Sequence, residues 1–198
     1  LRQACDGLQP GAFANPARAL RGNWCAGCRD ALVFADPGMN MSILNRGPLL
    51  FVAASVVAID QISKILLAGL LSDGRTIEVI PGLLQLYLVL NTGAAFSLFR
   101  GSVGALAFLS LAVSLGLLVW LSRRRSLPLW QGLAFAFLLG GTIGNGIDRW
   151  RLGHVIDYLA LVPVRFPVFN PADVAINLAV ICFLVDLLIS GRSNRSGS

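Results

Sequence analysis

Hydrophobic positions run almost unbroken through four stretches of the chain: Gly47–Leu71, Gly101–Leu121, about Leu129–Ile147 and about Asp173–Ser190. At 1.5 Å per helical residue each is long enough to cross roughly 30 Å of hydrocarbon. The first is interrupted by Asp60 and Lys64, and the second carries no charge. Apolarity on every face over such lengths is not the one-sided pattern of a helix on a soluble protein. The pattern therefore predicts an all-α membrane protein of four transmembrane helices, with both ends on one side. Two longer loops, 72–100 and 148–172, share the opposite side. Within the first, Leu83–Leu90 follows a Pro81-Gly82 turn and is too short to span as a helix. It reads as a strand, a small extracytoplasmic β element lying on the membrane surface. Leu1–Gly38 shows no sustained period and lacks the compact arrangement of a secretory signal, whereas Met39 and Met41 directly precede the apolar sequence. The expected organisation is an extension over residues 1–40, disordered or upstream of the working start, a membrane domain over 41–191, and a cytoplasmic tail over 192–198. Deleting residues 1–38 should leave activity intact.

Composition agrees with a lipid-solvated chain. Of 198 residues 56% are hydrophobic and only 13% charged, about half the charge of a soluble domain; mean hydropathy is +0.72. A disordered tail, a nucleic-acid arm and an ordinary cytosolic enzyme fit poorly. The net charge of +6 comes from fifteen arginines and one lysine against nine aspartates and one glutamate. No segment is both strongly basic and rich in stacking aromatics, so no nucleic-acid partner is expected. Arg123-Arg124-Arg125 fill the short loop between spans two and three, Arg46 precedes the first span, and Arg192 and Arg195 follow the last. The positive-inside rule puts these, and both termini, in the cytoplasm. Arg75, Arg100, Arg149, Arg151 and Arg165 lie on the other side, but they are spread over long loops and mixed with acids. Cys25 and Cys28 form a lone C-x-x-C, far from the single His154 and from Cys182, so no metal site is expected.

With that topology Asp60, Asp148, Asp157 and Asp173 gather near the outer interface. Charge at membrane depth is costly and ordinarily faces a bundle interior or serves a pathway. Asp60 and Lys64 share a helix face at i, i+4 and can neutralise one another. Asp148 is expected to pair with Arg149, with Asn145 capping the end of its span. Asp186 can reach toward Arg192, and His154 has no partners for a nucleophilic triad. Asp157 and Asp173 sit in apolar surroundings with no adjacent basic residue. Asn170 suits a helix N-cap, Pro171 the first helical position, and Asp173 falls third, where free N–H groups and the helix dipole favour a carboxylate. Asn177 follows one turn later on the same face. Two carboxylates brought together in a dry pocket share one proton. Asp173 is then the more acidic member and Asp157 holds the proton, an arrangement suited to activating water against an amide.

These residues fall in four blocks that resemble the lipoprotein signal peptidases, or signal peptidase II. The blocks are Asp60-Gln61-Ile62-Ser63-Lys64; Asn91-Thr92-Gly93-Ala94-Ala95-Phe96-Ser97; Gly144 to Arg149 with Gly153 to Tyr158; and Phe169-Asn170-Pro171-Ala172-Asp173. Their order and spacing match over about residues 43–190. The resemblance implies a multi-pass aspartyl endopeptidase of the bacterial cytoplasmic (inner) membrane, with its active site near the outer face. It would cut signal peptides from diacylglyceryl-modified prolipoproteins before the lipidated cysteine, as a monomer in membrane lipid and without a cofactor. Carried over by position, Asp157 and Asp173 correspond to the catalytic pair. Asn91, Asn145, Arg149 and Asn170 correspond to polar support around the substrate, where Asp148 and Asn177 also fall, and Asp60 and Lys64 to structural support. Tyr158 stands where the family more often has Phe and should add a hydroxyl near the pair; Gly146 and Pro171 occupy variable positions. The rival reading is a small transporter or proton relay, and behind it a scaffold. Clustering at one interface, uncharged middles of spans two and three and the absence of repeated halves argue against the first. Two poorly neutralised aspartates argue against the second.

Overall fold

A computed structural model describes residues 43–93 and 102–195, with side chains as far as Ser190. The extension 1–40, Cys5, Cys25, Cys28, Arg100, the Ala94–Ser97 part of the loop motif, and the side chains of Arg192 and Arg195 lie outside the described residues.

Among the described residues four helices and two small antiparallel sheets follow one another along the chain. In order they are β1 (Ile43–Asn45), α1 (Arg46–Leu70), β2 (Ile77–Ile80), β3 (Leu84–Asn91), α2 (Val103–Ser122), β4 (Ser126–Pro128), α3 (Leu129–Leu152), β5 (Val155–Leu161) and α4 (Pro171–Arg195). Among the described residues three helical segments are long and apolar enough to cross a membrane: α1, α2 and Pro171–Ser190 of α4. Their polarity is inverted relative to a soluble protein. In α1 Asp60 and Lys64 are 0% and 1% exposed, whereas Phe51 is 74% exposed. Ile59, Ile62, Phe108, Leu109, Leu187 and Leu188 likewise point outward. That distribution is stable only if the surroundings are apolar.

The helix α3 is less apolar because it is the one enclosed by the other three. Its buried positions include Gly140, Gly141, Gly144, Asn145 and Asp148. A Cβ on Gly141 would lie 2.5 Å from the Ala172 carbonyl oxygen, and one on Gly144 would lie 2.7 Å from Asp60 Oδ2. Glycine at these two positions lets α4 and α1 approach closely. The helix continues five residues past the predicted Ile147 and ends at Gly153 with φ +73°, the left-handed conformation that glycine adopts at helix ends.

At one end β1 pairs with β4, Ile43 opposite Pro128 and Asn45 opposite Ser126. Arg46 fastens this ribbon, its N–H donating to the Arg125 carbonyl and its Nη1 to the Ser122 carbonyl. At the other end lies a three-stranded sheet in the order β2-β3-β5. The predicted strand is there as β3, but β5 is a finding: Asp157 sits on a strand, not in a loop. A register shift between Leu86 and Val89 brings Asn91 opposite Val155, two residues from Asp157. The other edge of β5 is tied to the entry of α4, with Leu159 and Phe169 exchanging backbone hydrogen bonds.

Candidate active site

The sheet end of the bundle collects Asp60, Lys64, Asn91, Asn145, Asp148, Arg149, Asp157, Asn170 and Asp173. Local sequence explains how α4 begins here. The Asn170 side-chain oxygen accepts from the Asp173 N–H at 3.0 Å, and Asp173 Oδ2 accepts in return from the Asn170 N–H at 3.2 Å. This reciprocal cap uses Asn and Asp in place of the usual Ser/Thr and Glu. Pro171 occupies the first helical position, where its missing donor costs nothing. The Ala172 N–H, second in the helix, donates to Asp60 Oδ1 at 3.0 Å. Asp60 therefore does more than neutralise Lys64.

Asn170 touches both carboxylates of interest. Its Nδ2 donates to Asp157 Oδ1 at 2.6 Å, while its backbone holds Asp173. Asp157 Oδ2 accepts from Asn91 Nδ2 at 2.9 Å, and Asp173 Oδ1 accepts from Asn145 Nδ2 at 2.8 Å. Burial of Asp157 pushes its carboxyl up to about 6; the nearby Asp173 charge works in the same direction, and the Asn91 and Asn170 hydrogen bonds oppose it. The Asp173 carboxylate is thus close enough to act on the ionisation of Asp157.

Behind the pair lies a buried charge cluster. Lys64 Nζ is 2.8 Å from Asp60 Oδ2, 2.8 Å from Asp148 Oδ2 and 3.2 Å from Asn145 Oδ1. The expected Asp148–Arg149 pairing is not formed. Consecutive helical residues do not share a face, and Asp148 turns toward α1. There it accepts from Gln61 Nε2 at 2.9 Å and from the Ile156 N–H at 3.2 Å, so it fastens the start of β5. Arg149 points instead toward the candidate pair, within electrostatic reach of Asp173, Asp157 and Asp148. Its guanidinium donates to the carbonyls of Gly93 at 3.3 Å and Asn145 at 3.4 Å.

Two other expectations meet a different geometry. Asn177 is exposed and donates to the Asp173 backbone carbonyl at 2.9 Å, so it is not brought into the cluster. The Tyr158 hydroxyl does not face the pair: it donates to Ser63 Oγ at 2.7 Å, and Ser63 donates to the Asp60 carbonyl. Alternation along β5 sends residues 157 and 158 to opposite faces. Gln61 carries a role not assigned from sequence, bridging Asp60, Asp148 and the Gly144 carbonyl. Its polarity beside Asp60 in an otherwise apolar span was the available signal.

Comparison with known proteins matches the signal peptidase II family model over residues 52–189. A protein of Parasynechococcus marenigrum (strain WH8102) named lipoprotein signal peptidase is 66% identical over 159 residues, 80% of this chain and all of that one. A second so named, from Synechococcus sp. (strain RCC307), is 55% identical over 71% of this chain and 93% of its own length. A solved structure described as a bacterial membrane enzyme superposes with a TM-score of 0.68 at 28% identity, covering 73% of this chain and 90% of that chain. A second under the same description gives 0.64 at 29% identity, covering 72% and 93%.

Proposed function

The chain belongs to the signal peptidase II family of peptidases, and on that premise we propose that it removes signal peptides from diacylglyceryl-modified prolipoproteins, cutting before the lipidated cysteine with Asp157 and Asp173 as an aspartyl pair. One observation carries this reading: two carboxylates from different elements, β5 and α4, accept from one buried asparagine, Asp157 from the side-chain nitrogen of Asn170 and Asp173 from its backbone N–H. Such a pair holds one proton between like charges. Asp173, at the N-terminus of α4, takes a proton from water as its oxygen attacks the scissile carbonyl carbon. Asp157 gives its proton to the carbonyl oxygen, which becomes the hydroxyl of a tetrahedral intermediate. The C–N bond then breaks as Asp173 returns its proton to the leaving amine, and Asp157 recovers its own from the hydroxyl as the carbonyl re-forms. Arg149, Asn91 and Asn145 position the substrate backbone and the pair. This scheme uses no cofactor.

The same reading makes the protein a monomeric four-span enzyme of the bacterial cytoplasmic membrane, α3 being the fourth span, with termini inside and the site near the outer face. Its support is that a signal helix already in the bilayer ends at that level, and that Arg46 and Arg123 to Arg125 lie at the opposite end of the bundle. The membrane domain is residues 41–191, and deleting residues 1–38 should leave cleavage intact. The test is cleavage of a diacylglyceryl-modified prolipoprotein by purified chain in detergent. Asp157→Asn and Asp173→Asn should each lower kcat about 10²–10⁴-fold, and Asp148→Asn should lower it less. No cleavage by the wild type, or full activity in either variant of the pair, refutes the assignment.

A further inference from the structure

Three asparagine amides face the carboxylate pair, and an amide is useful there only with its nitrogen toward the oxygens. Two are held that way by backbone donors: Asn91 Oδ1 accepts from the Gly93 N–H at 2.9 Å, and Asn170 Oδ1 from the Asp173 N–H at 3.0 Å. The third, Asn145, is different. Its Oδ1 accepts from Lys64 Nζ at 3.2 Å and from Asn170 Nδ2 at 3.1 Å, leaving its Nδ2 to meet Asp173 Oδ1 at 2.8 Å.

We propose that Lys64 is a positioning residue for the pair: its ammonium, which can only donate, holds the Asn145 oxygen and so keeps the Asn145 nitrogen on Asp173. The proposal deepens the peptidase reading and rests on it. Turning the amide over would set two acceptors against each other at Asp173 and donors against donors at Lys64 and Asn170. The orientation matters most when the pair's proton visits Asp173. A free amide would then turn to accept that proton and trap it, whereas an amide held from behind by an ammonium cannot. Lys64 therefore keeps Asp173 an acceptor of the water proton through the cycle.

The plain alternative is that Lys64 only neutralises Asp60 and Asp148, each 2.8 Å away. A variant without any of the three charges separates the two: Lys64→Met with Asp60→Asn and Asp148→Asn, measured for kcat, KM and Tm with the prolipoprotein substrate, beside Asp60→Asn/Asp148→Asn alone. Positioning predicts that adding Lys64→Met to the double variant lowers kcat about 10- to 100-fold, the loss of a charge-assisted contact, with KM changed less than about threefold. Asn145→Ala should cost as much, and adding it to the charge-free variant should cost no more than about twofold, since both changes remove one contact. Recovery of kcat in the charge-free variant, or losses that multiply, overturns the proposal. If the charge-free variant does not fold, Lys64→Met/Asp148→Asn gives the same reading, because it leaves the cluster's net charge as in the wild type. Beside Asp148→Asn alone it should still lose at least about tenfold in kcat; recovery to the Asp148→Asn level overturns the proposal. A wild-type chain that cleaves nothing refutes the peptidase reading itself, whereas a cleaving wild type with additive losses refutes only the role of Lys64.

Discussion

Asp157 shows how far surroundings change one side chain. On β5, screened from water and facing Asp173, its carboxyl is pushed up to about 6, so it exchanges its proton near neutral pH. Since the proposed mechanism needs that proton, kcat/KM should fall as pH rises through about 6. Asn91 donates to the charged form and so lowers the pKa. Asn91→Ala should therefore move the falling limb to higher pH while lowering kcat roughly tenfold. A pH–rate profile on the prolipoprotein checks both, and a limb unmoved or moved to lower pH contradicts the assignment of Asp157 as proton carrier. Asp148 is a different kind of acid. It stabilises by holding Lys64, Gln61 and the Ile156 N–H together. Asp148→Ala leaves a buried ammonium short of one partner and a backbone donor without any, at a cost of about 3–5 kcal/mol; thermal melting should show it clearly, with Asp148→Asn milder. Tyr158→Phe removes only the bond to Ser63. It should cost about 1 kcal/mol of stability and leave the pH profile where it was.

At the scale of elements, α3 determines how closely everything else packs. Gly141→Ala would press a methyl on the Ala172 carbonyl, which is backbone and cannot turn aside, and Gly144→Ala would press one on the Asp60 carboxylate. Each should cost at least about 1–3 kcal/mol, lowering Tm by roughly 2–4 °C per kcal/mol. Gly116→Ala on α2, where a Cβ meets nothing within 4 Å, should leave Tm unchanged or slightly raised. Equal melting of all three variants would mean that close approach of α3 to its neighbours is unimportant. The four helices were legible in sequence because uninterrupted apolarity is a long, redundant signal, and β3 because a Pro-Gly turn marks its start. The N-cap at Asn170 was legible too, since Asn followed by Pro marks a helix start; that Asp173 caps Asn170 in return was not. By contrast β5 was hidden: in Val155–Leu161 six of seven residues are apolar or aromatic, with no alternation to distinguish a strand. The ribbon of β1 and β4 is three residues a side, shorter than any period can reveal. Contacts set by tertiary packing were likewise invisible. Nothing in Asp148-Arg149 says that one faces Lys64 across the bundle and the other the candidate pair; that follows from the 100° turn between them on a helix whose neighbours are known.

Across the whole molecule, charge is sorted by end. The chain from residue 102 to 147 contains three arginines and no acid, and those arginines adjoin Arg46 at the β1–β4 ribbon. Asp60, Asp148, Asp157 and Asp173 lie at the opposite, sheet-bearing end. Trp120, tilted against Phe135 at 4.3 Å and beneath Arg124 at 5.2 Å, lies toward the ribbon end. Trp150, edge-on to Phe108 at 5.0 Å, lies toward the sheet end. Aromatics at both levels are what two membrane–water interfaces favour. If α2 spans, the β2 edge and the β4 ribbon that flank it face opposite compartments. In a chain whose four cysteines are replaced by serine, Glu78→Cys and Ser126→Cys each introduce one exposed thiol. A membrane-impermeant maleimide added to intact spheroplasts should label the Glu78→Cys variant at once and the Ser126→Cys variant only after lysis. The reverse order would turn the molecule over and put the aspartates on the cytoplasmic side, away from where a signal helix ends. Labelling of both from outside would mean that α2 does not cross. Three arginines in one short loop should resist translocation, and the sheet end, where acids offset its arginines, should cross more readily; the labelling order follows from that difference.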